Sequence, residues 1–558
     1  MHLRNPERAF APGNSRRAFA LTILIACASV MTSAQTTEPA AKFVVADVHP
    51  SPHSISPDAT DMSGGLMHGG LYQLRRATML DLVRLAYGVD AQKVIGGPSW
   101  LEVDRFDVRA KVPEGTTAAT VKPMLQALLV ERFGLVARND TKPVPAWVLT
   151  AGKHPQLKKS DGSAASGCHV DAQSGAGRGA TDAAPQPAPL LDIACHNITM
   201  ADFAAHMIGM DGTWNYLGDN NLVADQTGLE GAWDFNLKYS RRNGRIAVAG
   251  VEITTLFDAL ERIGLKLDSG AVPMPVVVVD SVNRTPTPDS PEATAAFPPP
   301  PTEFEVADVK PSDPDYHGMD FQIQKGGRVS IRGVTLKFVV QEVYGLTDDM
   351  LVGAPKFMDS DRWDIIAKAP DLLAEESDDA DIDALFRMTK TLLADRFRLV
   401  VHTEERAIPS FTMTAPKPKM KKADPASRTS CKEGPPALVK IDPRNTNPVL
   451  GRLLTCTNTT MAYLADQLQY LASGYVHSAV LDSTGLEGGW DFTLSFSTIG
   501  QFKGGVPPPP GSSAASDPNG AVSLPEAMEK QLGLKLEPVK RQVAVLVIDH
   551  IEQKPTDN

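Results

Sequence analysis

The side chains best placed for chemistry are two pairs of carboxylates, each beside an aromatic residue. Asp104-Arg-Phe-Asp107 sets two carboxylates three positions apart, and Asp361-Arg-Trp-Asp364 does the same. Brought to one substrate, such a pair supplies a general acid and a general base, as glycoside hydrolysis requires. A second set joins Glu230, Trp233 and Asp234, and it is matched by Glu487, Trp490 and Asp491. An indole face flanked by carboxylates is a platform for a sugar or a peptide. Against both readings stands a structural one. Arg105 or Arg362 neutralises the first pair, while Gly228 and Gly231 turn the chain into a strand whose Trp and Phe pack by alternation. The structural reading is preferred, so no catalytic residue is assigned. Glu230, Trp233, Asp234, Glu487, Trp490 and Asp491 remain as a candidate ligand surface.

These motifs occur twice because most of the chain does. Phe43-Val-Val-Ala-Asp-Val-His-Pro-Ser51 returns as Phe304-Glu-Val-Ala-Asp-Val-Lys-Pro-Ser312, and Thr227-Gly-Leu-Glu-Gly-Ala-Trp-Asp-Phe235 as Thr484-Gly-Leu-Glu-Gly-Gly-Trp-Asp-Phe492. The offset is about 260 residues, a tandem duplication. What both copies retain therefore tests what the fold or the function needs. No histidine passes: His49 faces Lys310, His206 faces Gln467 and His402 faces Arg138. Arg132 and Arg396 pass, and are expected as buried anchors for a carboxylate.

The cysteines pass as well. Cys168 and Cys195 in the first copy correspond to Cys431 and Cys456 in the second. Cys168-His169 with Cys195-His196 would suit zinc at loose spacing, but Lys432 and Thr457 replace those histidines in the second copy. A disulfide in each copy is expected instead, closing loops whose restriction is worth about 3 to 4 kcal/mol. Asp379-Ala-Asp381-Ile-Asp383 fails as a calcium loop, since Ala384 and Lys390 occupy its glycine and closing glutamate positions. No serine-hydrolase elbow, zinc-protease helix or phosphate-binding loop is present. No metal and no cofactor is expected.

Composition excludes one class of partner. The 558 residues carry 66 acidic against 55 basic side chains, a formal charge of −11, which does not suit nucleic acid. Residues 1–34 read as an export signal: Arg16-Arg17, an apolar run from Ala18 to Met31, and small residues ending at Ala34. The arginine pair also fits a twin-arginine signal, and Leu24-Ile25-Ala26-Cys27 fits a lipobox, so a lipid tether at Cys27 competes with cleavage after Ala34. The mature chain is expected outside the cytoplasm, periplasmic or extracellular, without a membrane span.

Apolar spacing predicts a helix from Met79 capped by Thr78 with Asp81 three residues on, another over 124–133, and one starting at Thr199-Met200. Short strands follow them, at 135–137 and 146–150, and again at 264–267 and 276–279. Each copy thus reads as several α-β-β units. The fold class is α+β, with small, largely antiparallel sheets covered by helices. The expected domains are modules over 43–284 and 303–553, joined by a proline-rich linker over 285–302 that favours extended polyproline II. A second proline-rich stretch, 506–520, reads as a surface loop.

Together these strings, with Leu80-Asp-Leu-Val-Arg-Leu-Ala-Tyr87, Ile95-Gly-Gly-Pro98 and Gly264-Leu-Lys-Leu267, resemble the uncharacterised bacterial family DUF3738, here in two copies. Members look exported, and some carry the region behind a membrane metallopeptidase, which implies sensing or binding outside the cytoplasm. The resemblance transfers no catalytic residue. The expected function is a non-catalytic extracytoplasmic binding protein for a protein, peptide or glycan. A glycan-directed hydrolase and an envelope scaffold with pairing sheet edges are the alternatives.

Overall fold

The computed structural model describes residues 41–51, 62–170, 190–218, 222–240, 254–297, 301–324, 327–370, 382–436, 438–440, 442–447, 449–502 and 520–556. The expected export signal over residues 1–34, which includes Cys27, and all but the last residue of the 506–520 stretch lie outside them. Among the described residues no helix is long and apolar enough to cross a membrane.

In the first copy the chain runs through β1 (Val45–Pro50), β2 (Ser63–His68), β3 (Leu71–Thr78), α1 (Met79–Tyr87), β4 (Val94–Gly96), β5 (Arg105–Lys111), α2 (Ala118–Phe133) and β6 (Val136–Ala151). It continues through β7 (Lys158–Lys159), β8 (Gly167–Val170), β9 (Leu190–Thr199), α3 (Met200–His206), α4 (Trp214–Leu217), β10 (Val223–Asp225), β11 (Ala232–Ser240), α5 (Leu256–Arg262) and β12 (Leu265–Ser281). The class is α+β. The expected helices at Thr78 and Thr199 are there, each with its threonine accepting from the backbone N–H three residues on.

The order of elements holds a second repetition that the sequence reading did not find. Beyond the extra helix α4, the second half of the copy retraces the first. Sheet order β1-β5-β3-β2 becomes β7-β11-β9-β8, and the third sheet, β10-β6-β12-β4, maps onto itself. The second copy builds the same three sheets, so the described chain is four related quarters. Each quarter turns on one device. A bulge residue with positive φ (Arg76 52°, Asn197 45°, Gly333 69°, Asn458 45°) is followed two positions later by the capping threonine of the next helix.

The expected short strands are instead one long ribbon. Val136–Ala151 is continuous and pairs antiparallel with Leu265–Ser281 along its whole length. Pro143 and Pro273 sit opposite each other mid-ribbon, where neither has an N–H to offer the ladder. β6 leaves the first lobe beside Phe133 and Leu135 and delivers Trp147 and Leu149 to the core of the second. β12 returns the exchange, carrying Leu265 and Leu267 in the second core and Val277 and Val279 in the first. The first copy therefore has two apolar cores, each completed by a strand from the other lobe.

The 285–302 segment differs from an extended spacer. Ser290 caps a helix, α6 (Pro291–Ala296), with proline at its first turn. Asp289 forms a 2.7 Å ion pair with Arg132, and Phe297 lies under the Arg109 guanidinium at 5.3 Å. The segment is thus fastened to the outer face of the first copy.

Both cysteine pairs are at disulfide distance, with Cα separations of 4.0 Å for Cys168–Cys195 and 3.9 Å for Cys431–Cys456. Each links an edge strand to its neighbour at directly opposed positions. Reduction is expected to lower stability by about 3 kcal/mol per bridge. Urea titrations with and without reductant measure this, and coincident curves would show that the bridges do not constrain the chain.

Candidate functional site

The retained carboxylates are occupied by the backbone. Asp107 accepts from Arg76 N–H at 2.8 Å and Asp364 from Gly333 N–H at 3.0 Å. Asp234 accepts from Asn197 N–H at 2.9 Å and Asp491 from Asn458 N–H at 2.9 Å. In all four quarters, then, the aspartate after the aromatic residue of a strand holds the bulge of its neighbour strand. The Asn197 N–H also holds the Asp234 carboxyl below its ordinary range. Asp104 pairs with Arg284, and Asp361 accepts from Gln553 and Ser360. The arrangement separates the partners of each proposed acid–base pair into different hydrogen-bond networks.

Glu230 and Glu487 are exposed, whereas Trp233 and Trp490 are half-buried. Both indole Nε1 atoms are buried without a partner, so these rings are packed edges more than open platforms. Lys422 lies over the Trp490 ring at 4.6 Å. Gly228, Gly231, Gly485 and Gly488 all have positive φ, the conformation the turn into each strand requires.

His49 lies between two carboxylates, 3.4 Å from Asp47 and 3.7 Å from Asp107. Ser51 donates to Asp107 at 2.6 Å, so the three types of a hydrolytic triad are adjacent but not in relay order. The second copy keeps Ser312 on Asp364 at 2.7 Å with Lys310 in place of the histidine. Asp47 raises the His49 pKa above its ordinary 6.5. That contribution is complete below pH 6.5 and is lost as pH rises through the higher folded value. With His49 half exposed, the resulting fall in stability as pH rises above 6.5 should be small. His49→Lys should flatten this slope in pH-dependent melting curves.

The most developed recognition geometry lies at the disulfide-bearing sheet edge. In the second copy, Ser430–Glu433 is the edge strand, opposite Arg452–Thr459. The chain just before it grips the first copy's turn between β4 and β5. Thr429 N–H donates to Ser99 carbonyl at 3.0 Å, and Arg428 donates to the Val94 and Gly96 carbonyls. Lys432 and Arg428 close on the Glu102 carboxylate at 2.6 and 3.6 Å. Burial lowers the Arg428 pKa, and the Glu102 charge opposes that shift. Burial likewise raises that of Tyr463, which faces the same turn. A further strap adds to the contact: Leu438 packs on the second core of the first copy, Lys440 pairs with Asp268 at 2.8 Å, and Arg444 donates to the Asn215 carbonyl at 3.3 Å, while Arg76 and Asp383 pair elsewhere at 3.8 Å.

The equivalent edge in the first copy is β8, and beside it lies a cleft of about 460 Å³ lined by Ser166, Cys168, His169, Val170, Asp202 and His206. Among the described residues, neither β8 nor His206 bonds to the second copy. Sequence reasoning missed both edges because it sought retained residues. Here the signal is difference: Ala165 against Arg428 and His169 against Lys432.

A family model described as a protein of unknown function, DUF3738, matches residues 80–282 and 337–551. The chain belongs to the DUF3738 family. It carries the DUF3738 region twice, and each match runs from the first helix of a copy to the end of its last long strand. No curated protein and no solved structure matches the chain.

Proposed function

We propose that this protein is an exported interaction protein, whose DUF3738 modules recognise turns of partner polypeptides at their disulfide-bearing sheet edges. One observation carries the reading: the second copy's edge already holds a turn, through a backbone bond from Thr429 to Ser99 and a double cation clamp on Glu102. Backbone pairing gives affinity and the flanking charges give selectivity, as in strand-edge recognition. Export is supported by the paired cysteines, the chemistry of an oxidising compartment, and by the character of residues 1–34. A non-catalytic role is supported by the use of Asp107, Asp234, Asp364 and Asp491 as backbone acceptors.

A photocrosslinking residue at position 169 tests the reading in producing cells. A light-dependent adduct with a polypeptide, lost when Val170→Asp is added, is expected. Failure to form any polypeptide adduct, or glycan hydrolysis abolished by Asp104→Asn, would overturn it.

A further inference from the structure

The contact between the copies is head-to-tail, and one half of it is unused at each end of the molecule. The first copy offers its Val94–Glu102 turn to the second copy's edge. Two elements are left over: the first copy's own edge, β8, and the second copy's own turn, Leu351–Ser360. The turn keeps its shape, with Leu351 and Val352 pairing parallel with Leu546 and Val547, as Val94 and Ile95 pair with Val277 and Val278. Among the described residues, no hydrogen bond or ion pair joins this turn to the first copy.

The geometry points to a second copy of this chain as the occupant of the β8 cleft, inserting its Leu351–Ser360 turn. The inference rests on the reading of the sheet edge as a recognition surface and names the partner. Placed as in the internal contact, Ser166 N–H meets the carbonyl of Lys356, the counterpart of Ser99, and His169 meets Asp359, the counterpart of Glu102. Asp359 is 63% exposed, with Lys337 of its own copy 3.4 Å away, and Lys356 is exposed, so both lie at the surface. Val170, 43% exposed on the edge strand, would be covered. Charge follows the substitution: the internal cleft is strongly cationic and holds Glu102, whereas the β8 cleft carries Asp202 with His169 and His206 and meets a turn bearing both Lys356 and Asp359. Ala165 supplies no counterpart to the Arg428 clamp, so the contact between chains is weaker than the one within a chain. A surface that meets a different surface on its partner adds subunits without self-closure, yielding an open series unless the rotation happens to close a ring.

Sedimentation velocity of the mature, oxidised full chain over a concentration series tests this. The expected result is a shift from monomer to dimer and longer species as concentration rises. His169→Glu, which opposes Asp359, and Asp359→Lys, which opposes His169, should each weaken association by about tenfold or more. Mixed together, the two variants should recover the series as alternating chains, since the substituted edge of one matches the substituted turn of the other and the native edge of the second matches the native turn of the first. The double variant in one chain should recover the series. A protein that stays monomeric throughout, or a mixture that behaves as the sum of its variants, overturns the self-association. In either case a crosslink from position 169 to a different polypeptide would leave the recognition reading standing.

Discussion

Replacing Arg132 with methionine should cost about 3 to 5 kcal/mol of stability, the range for removing one partner of a buried ion pair. The side chain is 7% exposed and spans three parts of the fold. It pairs with Asp289, donates to the Thr287 carbonyl at 2.6 Å, and reaches the carbonyls of Ala46 and Val48 at 3.3 Å. Its loss strands the Asp289 carboxylate and frees the segment that carries α6. Arg396→Met provides the comparison. Arg396 donates to the Ala307 carbonyl at 2.8 Å and the Thr556 carbonyl at 3.4 Å, and those two bonds alone make its loss cost at least about 1 to 3 kcal/mol. Urea midpoints at unchanged slope measure both. A cost for Arg132→Met no larger than that of an exposed substitution would show that the buried pair with Asp289 does not hold the segment.

Arg428→Glu is expected to separate the two copies. Glu102 is 15% exposed and depends on Arg428 and Lys432 for compensation, so a carboxylate in place of the guanidinium confronts it with a like charge in a poorly hydrated place. The contact should weaken by about 3 kcal/mol or more. Because each copy keeps its own cores, folding should persist while the radius of gyration rises, and proteases should gain access to the chain around Ser99. Glu102→Lys in the same molecule restores opposite charges and should reverse most of the change. Unaltered scattering from Arg428→Glu would show that the other contacts between the copies, among them Leu438, Lys440 with Asp268, Arg444 with the Asn215 carbonyl and Arg76 with Asp383, suffice.

Much of this architecture was legible in the chain. The long repeat, the paired cysteines, the threonine-capped helices and the α+β class all follow from residue type and spacing. The ribbon did not, because Pro143 and Pro145 read as breaks; opposite Pro273 and Ala271, away from both cores, they interrupt no ladder that matters. The helix at Pro291 had its signature, Ser290 before proline and Glu292, but the proline content around it suggested an extended spacer. The quarters were hidden because what they share is small: a bulge residue, a threonine two positions later, and an aromatic–aspartate pair on the facing strand. Candidate-site reasoning favoured what both copies keep, and four of those residues, Asp107, Asp234, Asp364 and Asp491, are bound to the backbone. The contact between the copies is written in what they do not share.

The reciprocal passage of β6 and β12 has an evolutionary corollary. A lone quarter would possess a long unmated strand and an unfinished interior, so the earliest ancestor of this architecture would have lived as a pair of identical subunits clasping each other, later fused by gene duplication. Lineages built this way gain or lose quarters two at a time, and a relative with an odd number would carry an orphan.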